Sequence, residues 1–145
     1  MIDMAERFAD LDGIHLRLDA KGILHMDLTR DLWWELEHSE EVWNTIEAWT
    51  DEPVCLCVCL DRVKGASSAG RSYHRERGIA GRTLALGLWG GGVVGRFVGN
   101  LFLRLNRPRY PTRLFSTEDE AMRYLISVRD GLPLSHDSGQ TPQKG

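Results

Sequence analysis

The chain has 145 residues, the size of one ordinary domain, and is long enough to bury a core without disulfides or a structural metal. Hydrophobic residues make up 42% of the chain and charged residues 27%, which excludes a disordered or fibrous protein. The formal net charge of -3 excludes a general attraction to nucleic acid or anionic lipid, so any such affinity would need a local patch. Residues 1–10 lack the apolar core of a signal peptide, and a cytoplasmic location is therefore expected.

Two short segments near the N-terminus alternate between apolar and polar residues. Residues 14–18 and 24–28 are each typical of a half-buried strand. An antiparallel hairpin keeps both apolar sets on one face only if the sequence numbers of the two residues in each pair sum to an even number. A loop of odd length is therefore predicted. The polar positions His15, Arg17, His25 and Asp27 are then expected to face water. A surface metal site formed by His15, His25 and Asp27 is the alternative, and exposed strand positions are the preferred interpretation.

The rest of the chain alternates helices with apolar strands. A helix capped at Ser39 is predicted within residues 29–49. Residues 54–60 are apolar on both alternating sets, which is typical of a central strand covered by helices on both sides. A helix opened by Ser67 or Ser68 follows. The remaining predicted elements are a strand at 83–88, a helix at 93–105, a strand at 112–115, and a helix at 117–129 that Ser116 or Thr117 opens.

Single helices between apolar strands require right-handed crossovers and a mainly parallel sheet. The sequence therefore predicts an α/β fold with a mixed, mainly parallel sheet of about five strands, an N-terminal antiparallel hairpin and about four helices. Residues 1–131 are expected to form one domain, and residues 132–145 a flexible C-terminal tail. A membrane span over residues 83–105 is rejected because Arg96 lies inside it and the run Gly90 to Gly92 would interrupt the helix.

A recognisable series of motifs occupies the C-terminal third of the chain. The motifs are Gly99-Asn100, Asn106-Arg107-Pro108, Tyr110-Pro111-Thr112, Leu114-Phe115, and the Glu-rich helix from Glu118 to Leu125. This series resembles the C-terminal part of STAS-like domains, the superfamily of bacterial anti-sigma-factor antagonists and sulfate-transporter tails, especially its compact stand-alone bacterial members. The resemblance implies a STAS-like fold from about residue 12 to residue 129, and a role in regulation or protein interaction.

The same resemblance implies a regulatory site at the start of one helix. In anti-sigma-factor antagonists the regulatory serine opens the helix after the central strand, and Ser67 and Ser68 stand at the matching place. A phosphate there would be stabilised by the free amides of the helix N-terminus. The match is incomplete, because Ala66 replaces an Asp and Ala69 separates the serines from Gly70. A simple N-cap at Ser67 is the alternative.

A glycine-rich segment matches the spacing of a dinucleotide-binding loop. It follows the fourth predicted strand rather than the first, and no acidic residue appears before Glu118, so nucleotide binding is not predicted. A tight turn explains Gly90 and Gly91. Gly95 and Gly99 lie four residues apart on a helix and are predicted to allow close approach to the sheet or to a second subunit.

Adjacent tryptophans provide a second candidate interface. Trp33 and Trp34 cannot both face one helical core, so one of them is expected to meet a partner. We therefore expect a homo-oligomer, most simply a dimer, in which Trp33, Trp34, Gly95 and Gly99 are possible interface residues.

The three cysteines alternate along one strand and so point to the same face. Thiols of Cys55, Cys57 and Cys59 are about 7 Å from their neighbours, too far apart to share one zinc easily, and the sequence shows no complementary histidine cluster. They are interpreted as buried small hydrophobes in a reducing compartment. No metal site and no cofactor are predicted.

Four arginines surround the two prolines that precede the last strand. A guanidinium matches the oxygens of a phosphate, so these arginines are a possible anion-binding site. An acidic helix follows them directly, which makes ion pairing within the chain the alternative, and no nucleic-acid partner is expected. The four are Arg104, Arg107, Arg109 and Arg113.

The spacing of the sequence brings no acid and base together, so no enzymatic activity is predicted. We therefore predict a non-enzymatic STAS-like domain that regulates or binds a protein partner, which the sequence does not identify. The alternative is a carrier of a small molecule or lipid, because the helix at 93–105 is apolar enough to form the wall of a cavity.

Overall fold

A computed structural model describes residues 5–77, 81–106 and 110–131. The strands in chain order are β1 Arg7–Leu11, β2 Ile14–Leu18, β3 Ile23–Leu28, β4 Leu32–Trp34, β5 Val54–Cys59, β6 Val63–Ala66, β7 Thr83–Trp89 and β8 Thr112–Phe115. The helices are α1 Leu36–Trp49, α2 Ser68–Arg77, α3 Gly92–Asn106 and α4 Glu118–Arg129. The predicted tail at 132–145 lies outside the described residues.

Six strands form one sheet in the order β1-β2-β3-β5-β7-β8. β1, β2 and β3 pair antiparallel, whereas β3, β5, β7 and β8 pair parallel. The α/β fold with a mainly parallel sheet and an antiparallel N-terminal hairpin is therefore confirmed. The sequence missed three strands: β1, which extends the hairpin, and the short β4 and β6, which pair with each other as a separate two-stranded sheet.

The hairpin register follows the prediction, but the exposure of one residue does not. Leu18 pairs with Leu24 and Ile14 with Leu28, so an odd number of residues closes the loop. His25 was expected to face water and is instead buried, with only 6% of its surface exposed. The beginning of α4 lies over it, since the Glu118 carboxylate is 3.8 Å from its Nδ1.

Helices cover both faces of the sheet. On one face α1, α2 and α3 pack over the larger apolar core, which contains Leu56, Trp43 and Leu103. On the other face α4 packs over a smaller core with Cys55 and Leu125. The doubly apolar pattern of β5 is thus explained by burial on both sides.

The helix starts test two of the predicted caps. The Thr117 side chain accepts a hydrogen bond from the Glu120 N–H, so the predicted start of α4 is confirmed. The predicted cap at Ser39 is wrong, because α1 begins at Leu36 and its capping box joins Glu35 and His38.

The long apolar stretch at 83–105 is divided between β7 and α3, with a turn between them. Gly90 and Gly91 adopt positive φ values of 76 and 86° in that turn, which is the tight turn that the sequence predicts. Among the described residues, no helix is both long enough and apolar enough to cross a membrane.

Candidate functional site

An apolar cavity of about 100 Å³ lies between the sheet and the layer formed by α1, α2 and α3. Three central strands form its floor through Leu24, Met26, Leu56, Val58, Leu86 and Leu88. The helices complete its walls through Val42, Trp43, Gly70, Arg71, Val98 and Phe102. The helix at 93–105 that the sequence indicates as a possible cavity wall contributes Val98, Gly99 and Phe102 of α3 to this lining.

The position of Val58 shows that this space is poorly filled. Val58 lies on the central strand β5, beneath the helices, and is still partly exposed. Val54, on the same face of the same strand, is completely buried and does not line the cavity. Since protein interiors are packed about as densely as organic crystals, a void of this size leaves room for a small guest molecule.

Arg71 is the only charged side chain among the described residues that line the cavity. It is half-buried on α2, and its Nη1 donates a hydrogen bond to the Ala66 carbonyl at 2.7 Å. A guanidinium at the edge of an apolar cavity can bind the anionic end of an amphipathic molecule.

Ser39 joins the elements around the cavity. The Trp34 indole Nε1–H donates to Ser39 Oγ at 2.7 Å, and this hydroxyl donates to the Gly70 carbonyl at 3.0 Å. The side chain of Ser39 therefore connects β4, α1 and α2, and its residue is fully buried. The sequence gives no local signal for this role, since a serine near a helix start more often caps it.

The two serines proposed as a regulatory site differ in their surroundings. Ser67 Oγ accepts a hydrogen bond from the Gly70 N–H at 3.0 Å, so Ser67 is the N-cap of α2. Ser68 begins the helix and is exposed. β6 lies between the central strand β5 and this helix.

The structure does not join the two arginines that it describes into one anion site. Arg104 is exposed on α3, whereas the Arg113 guanidinium carbon lies 5.2 Å from the ring centre of Tyr124 on α4. These helices cover opposite faces of the sheet. Arg107 and Arg109 lie outside the described residues.

The predicted interface residues also separate. Trp33 is 54% exposed, and a Cβ on Gly65 would lie 2.4 Å from its ring. Trp34 is buried in the core. A Cβ on Gly95 would lie 3.1 Å from Leu60, and one on Gly99 would lie 3.1 Å from Leu114. Both glycines thus bring α3 close to the rest of its own domain, and they do not form its outer surface.

The outer surface of α3 is apolar. Val93 is 87% exposed, Val94 is 51% exposed and Phe97 is 67% exposed. Val93 and Phe97 lie one helical turn apart and so share a face. This face borders Val98 and Phe102, which line the cavity and are themselves partly exposed.

All three cysteines are free, buried thiols. Burial raises the pKa of Cys55 to about 11 and those of Cys57 and Cys59 to about 12, so none is a reactive thiolate at neutral pH. The histidine that the sequence did not connect with them is His25, which pairs with Cys57 across β3 and β5. Together with Glu118, these residues offer nitrogen, sulfur and oxygen ligand atoms that all lie within 4.8 Å of one another.

Comparisons with known proteins identify a family and a fold neighbour. A family model described as a domain of unknown function, DUF7793, matches residues 16–129. No curated protein matches the chain. A solved structure of an uncharacterized protein of the DUF3478 family from Shewanella loihica PV-4, described as having a SpoIIAA-like fold, is similar with a TM-score of 0.47 and 9% identity. The similarity covers 86% of this chain and 95% of that chain.

Proposed function

The chain belongs to the DUF7793 family, and we propose that it is a non-enzymatic binding domain that takes a small apolar ligand into the cavity beneath α1, α2 and α3. The observation that carries this proposal is the void of about 100 Å³ above Val58. Apolar side chains that line such a cavity lack packing partners on one side, and a ligand of matching size would supply them. The three free thiols support a reducing compartment, and the proposal therefore includes a cytoplasmic location.

The chemistry of the lining defines the ligand class. The floor is formed by leucine, valine and methionine side chains, which offer no hydrogen bonds that would select a polar molecule. The Arg71 guanidinium at the edge favours a ligand with one anionic end. We therefore expect a small apolar molecule or a short acyl chain with a carboxylate beside Arg71.

Native mass spectrometry of the purified protein tests this proposal directly, because a bound apolar molecule adds a defined mass. A titration with the fluorescent apolar probe N-phenylnaphthylamine, followed by displacement with short-chain fatty acids, then measures affinity. Binding of the probe with displacement by the acids is the expected result. The proposal would be contradicted if the purified protein carried no added mass and did not increase the fluorescence of the probe.

A pair of substitutions on α3 locates the binding site. Val98→Trp should fill the cavity and weaken probe binding by roughly tenfold or more, which corresponds to about 1.4 kcal/mol. Val94→Trp adds the same side chain to an exposed position outside the lining and should leave binding unchanged. Equal effects of the two substitutions would place the probe on the surface of the helix rather than in the cavity.

The second candidate function is a protein-interaction module that associates with itself, and the exposed outer face of α3 favours it. Monomeric proteins rarely leave several large apolar side chains exposed side by side. Phe97→Glu should then shift the mass measured by light scattering from dimer to monomer. Phe8→Glu, a change at an exposed phenylalanine on β1, serves as its control. A wild-type protein that stays monomeric at high concentration would reject self-association.

In this second candidate Ser68 is the better regulatory position, because Ser67 already uses its hydroxyl to cap α2. A phosphate on exposed Ser68 would lie in the first turn of the helix, where negative charge is favoured. Ser68→Asp should change the set of proteins recovered in a pull-down, whereas Ser68→Ala should recover the same set as the wild type. Identical recovery with all three proteins would assign the serine to the helix start alone.

A further inference from the structure

On the side of the sheet opposite the cavity, we infer that His25, Cys57 and Glu118 form a binding site for a divalent transition-metal ion, with zinc as the best chemical fit. The three residues come from different elements. His25 and Cys57 are paired neighbours on the parallel strands β3 and β5, and Glu118 is the first residue of α4, which crosses above them. Their ligand atoms lie within 4.8 Å of one another.

The imidazole of His25 provides the independent observation. Its Nδ1 is buried, faces the Glu118 carboxylate at 3.8 Å and has no hydrogen-bond partner among the described residues. A buried nitrogen without a partner loses its hydrogen bond to water and gains nothing in exchange. A metal ion at this position would supply the missing partner.

Asp19 holds the imidazole in the orientation that a metal ligand requires. His25 Nε2 lies 2.9 Å from Asp19 Oδ2, and a carboxylate can only accept, so Nε2 carries the proton and a neutral imidazole presents its lone pair at Nδ1. Asp19 is itself fixed by the backbone N–H groups of Lys21 and Ile23, at 2.9 and 3.0 Å. A carboxylate that accepts from the second ring nitrogen is the usual support of a metal-binding histidine.

The donor set selects the class of metal. Nitrogen, thiolate and carboxylate donors suit zinc and similar divalent ions, and binding of the metal would release the proton of the Cys57 thiol to solvent. A tetrahedral site places such donors about 3–4 Å apart. The histidine nitrogen and the glutamate oxygen already fall in that range. The Glu118 side chain is half exposed and can move inward without disturbing the core. Three protein ligands leave a fourth position for water on the solvent side.

Titration of the purified full chain with zinc, followed by calorimetry, measures binding. Cobalt is the spectroscopic probe, because a cobalt–thiolate bond produces a charge-transfer absorption that carboxylate and imidazole ligands do not produce. We expect one equivalent of either metal to bind and the cobalt complex to show the thiolate band. Absence of saturable binding by both metals overturns the inference.

Matched variants assign the ligands. Glu118→Gln changes an exposed residue, so folding should be preserved. It should weaken zinc binding by roughly 100-fold or more, since loss of even an outer-shell partner causes a loss of about 10- to 100-fold. Asp119→Asn, at the next residue of the same helical turn, should leave affinity unchanged. Cys57→Ala should abolish the thiolate band, whereas Cys59→Ala should keep it. A band that survives Cys57→Ala, or equal effects at 118 and 119, overturns the assignment.

Asp19 is tested as a positioning residue. In Asp19→Asn the side-chain amide can donate to Nε2, which should move the imidazole proton to Nδ1 and weaken zinc binding by roughly 10- to 100-fold. Nitrogen NMR shows directly which nitrogen of the imidazole carries the proton. The spectrum would not change if Asp19 only stabilised the loop between β2 and β3. An unchanged tautomer together with unchanged affinity would reject the positioning role.

Discussion

Val58→Ile is the substitution that measures the cavity most directly. The apolar cavity of about 100 Å³ lies directly above this side chain. Isoleucine adds one methylene to a side chain that already faces this void, and it keeps the β-branched shape that suits a strand. Burial of one methylene contributes about 0.8 kcal/mol, so we expect the free energy of unfolding to rise by about 0.5–1 kcal/mol.

The control is the same change at Val54, on the same face of the same strand. Val54 is completely buried outside the cavity, so the extra methylene has no space and should lower the free energy of unfolding by about 1–3 kcal/mol. Urea unfolding followed by tryptophan fluorescence gives both values, provided that the slope of the transition is unchanged. Equal destabilisation by the two changes would show that Val58 is as tightly packed as Val54, and the proposed ligand site would lose its basis.

Three further changes test other contacts. Ser39→Ala should lower the free energy of unfolding by about 2–3 kcal/mol in urea titrations, because it removes two buried hydrogen bonds, one from the Trp34 indole N–H and one to the Gly70 carbonyl. A loss below about 0.5 kcal/mol would contradict this reasoning. Ser67→Ala should cost about 1 kcal/mol as a lost cap, and Ser68→Ala much less, in the same assay; similar losses would reject the assignment of the cap. Burial raises the pKa of Asp19, but hydrogen bonds from His25 and from two backbone amides outweigh it and hold that pKa below its usual value. The stability that Asp19 contributes is therefore present above about pH 4 and is lost as the pH falls through the folded-state pKa. The Asp19→Asn variant should lack this acid-dependent component of the unfolding free energy. Identical pH profiles of the unfolding free energy for the variant and the wild type would refute this prediction.

Local signals in the sequence were sufficient for most of the fold. The strand at residues 112–115 was predicted with the bounds that the structure gives, because prolines and a capped helix enclose it. The apolar sets of β5 correctly indicated burial on both faces. The short strands β4 and β6 were missed, because three or four residues are too few to establish a period.

The candidate sites depend on contacts that no local pattern encodes. His25 follows the same alternation as His15, which is only half-buried, and the difference is that α4 covers one of them from more than 90 residues along the chain. The cavity exists because the side chains around it do not fill the space between them. Their apolar pattern in the sequence is the same as that of a fully packed core. Ser39 resembles a cap by position, but the capping box formed by Glu35 and His38 had already satisfied the helix start.

Most of the cavity floor and two of the three proposed metal ligands lie on the same two short strands, at positions of opposite parity. On β3, Leu24 and Met26 face the void while His25 faces α4; on β5, Leu56 and Val58 face the void while Cys57 faces α4. A single inserted or deleted residue in either strand would exchange the two faces of that strand. The side chain of His25 or Cys57 would then point into the apolar cavity, and an aliphatic side chain would point toward the Glu118 carboxylate. A change of length in either segment is therefore expected to disrupt both pockets at once, whereas a substitution can alter one pocket without the other.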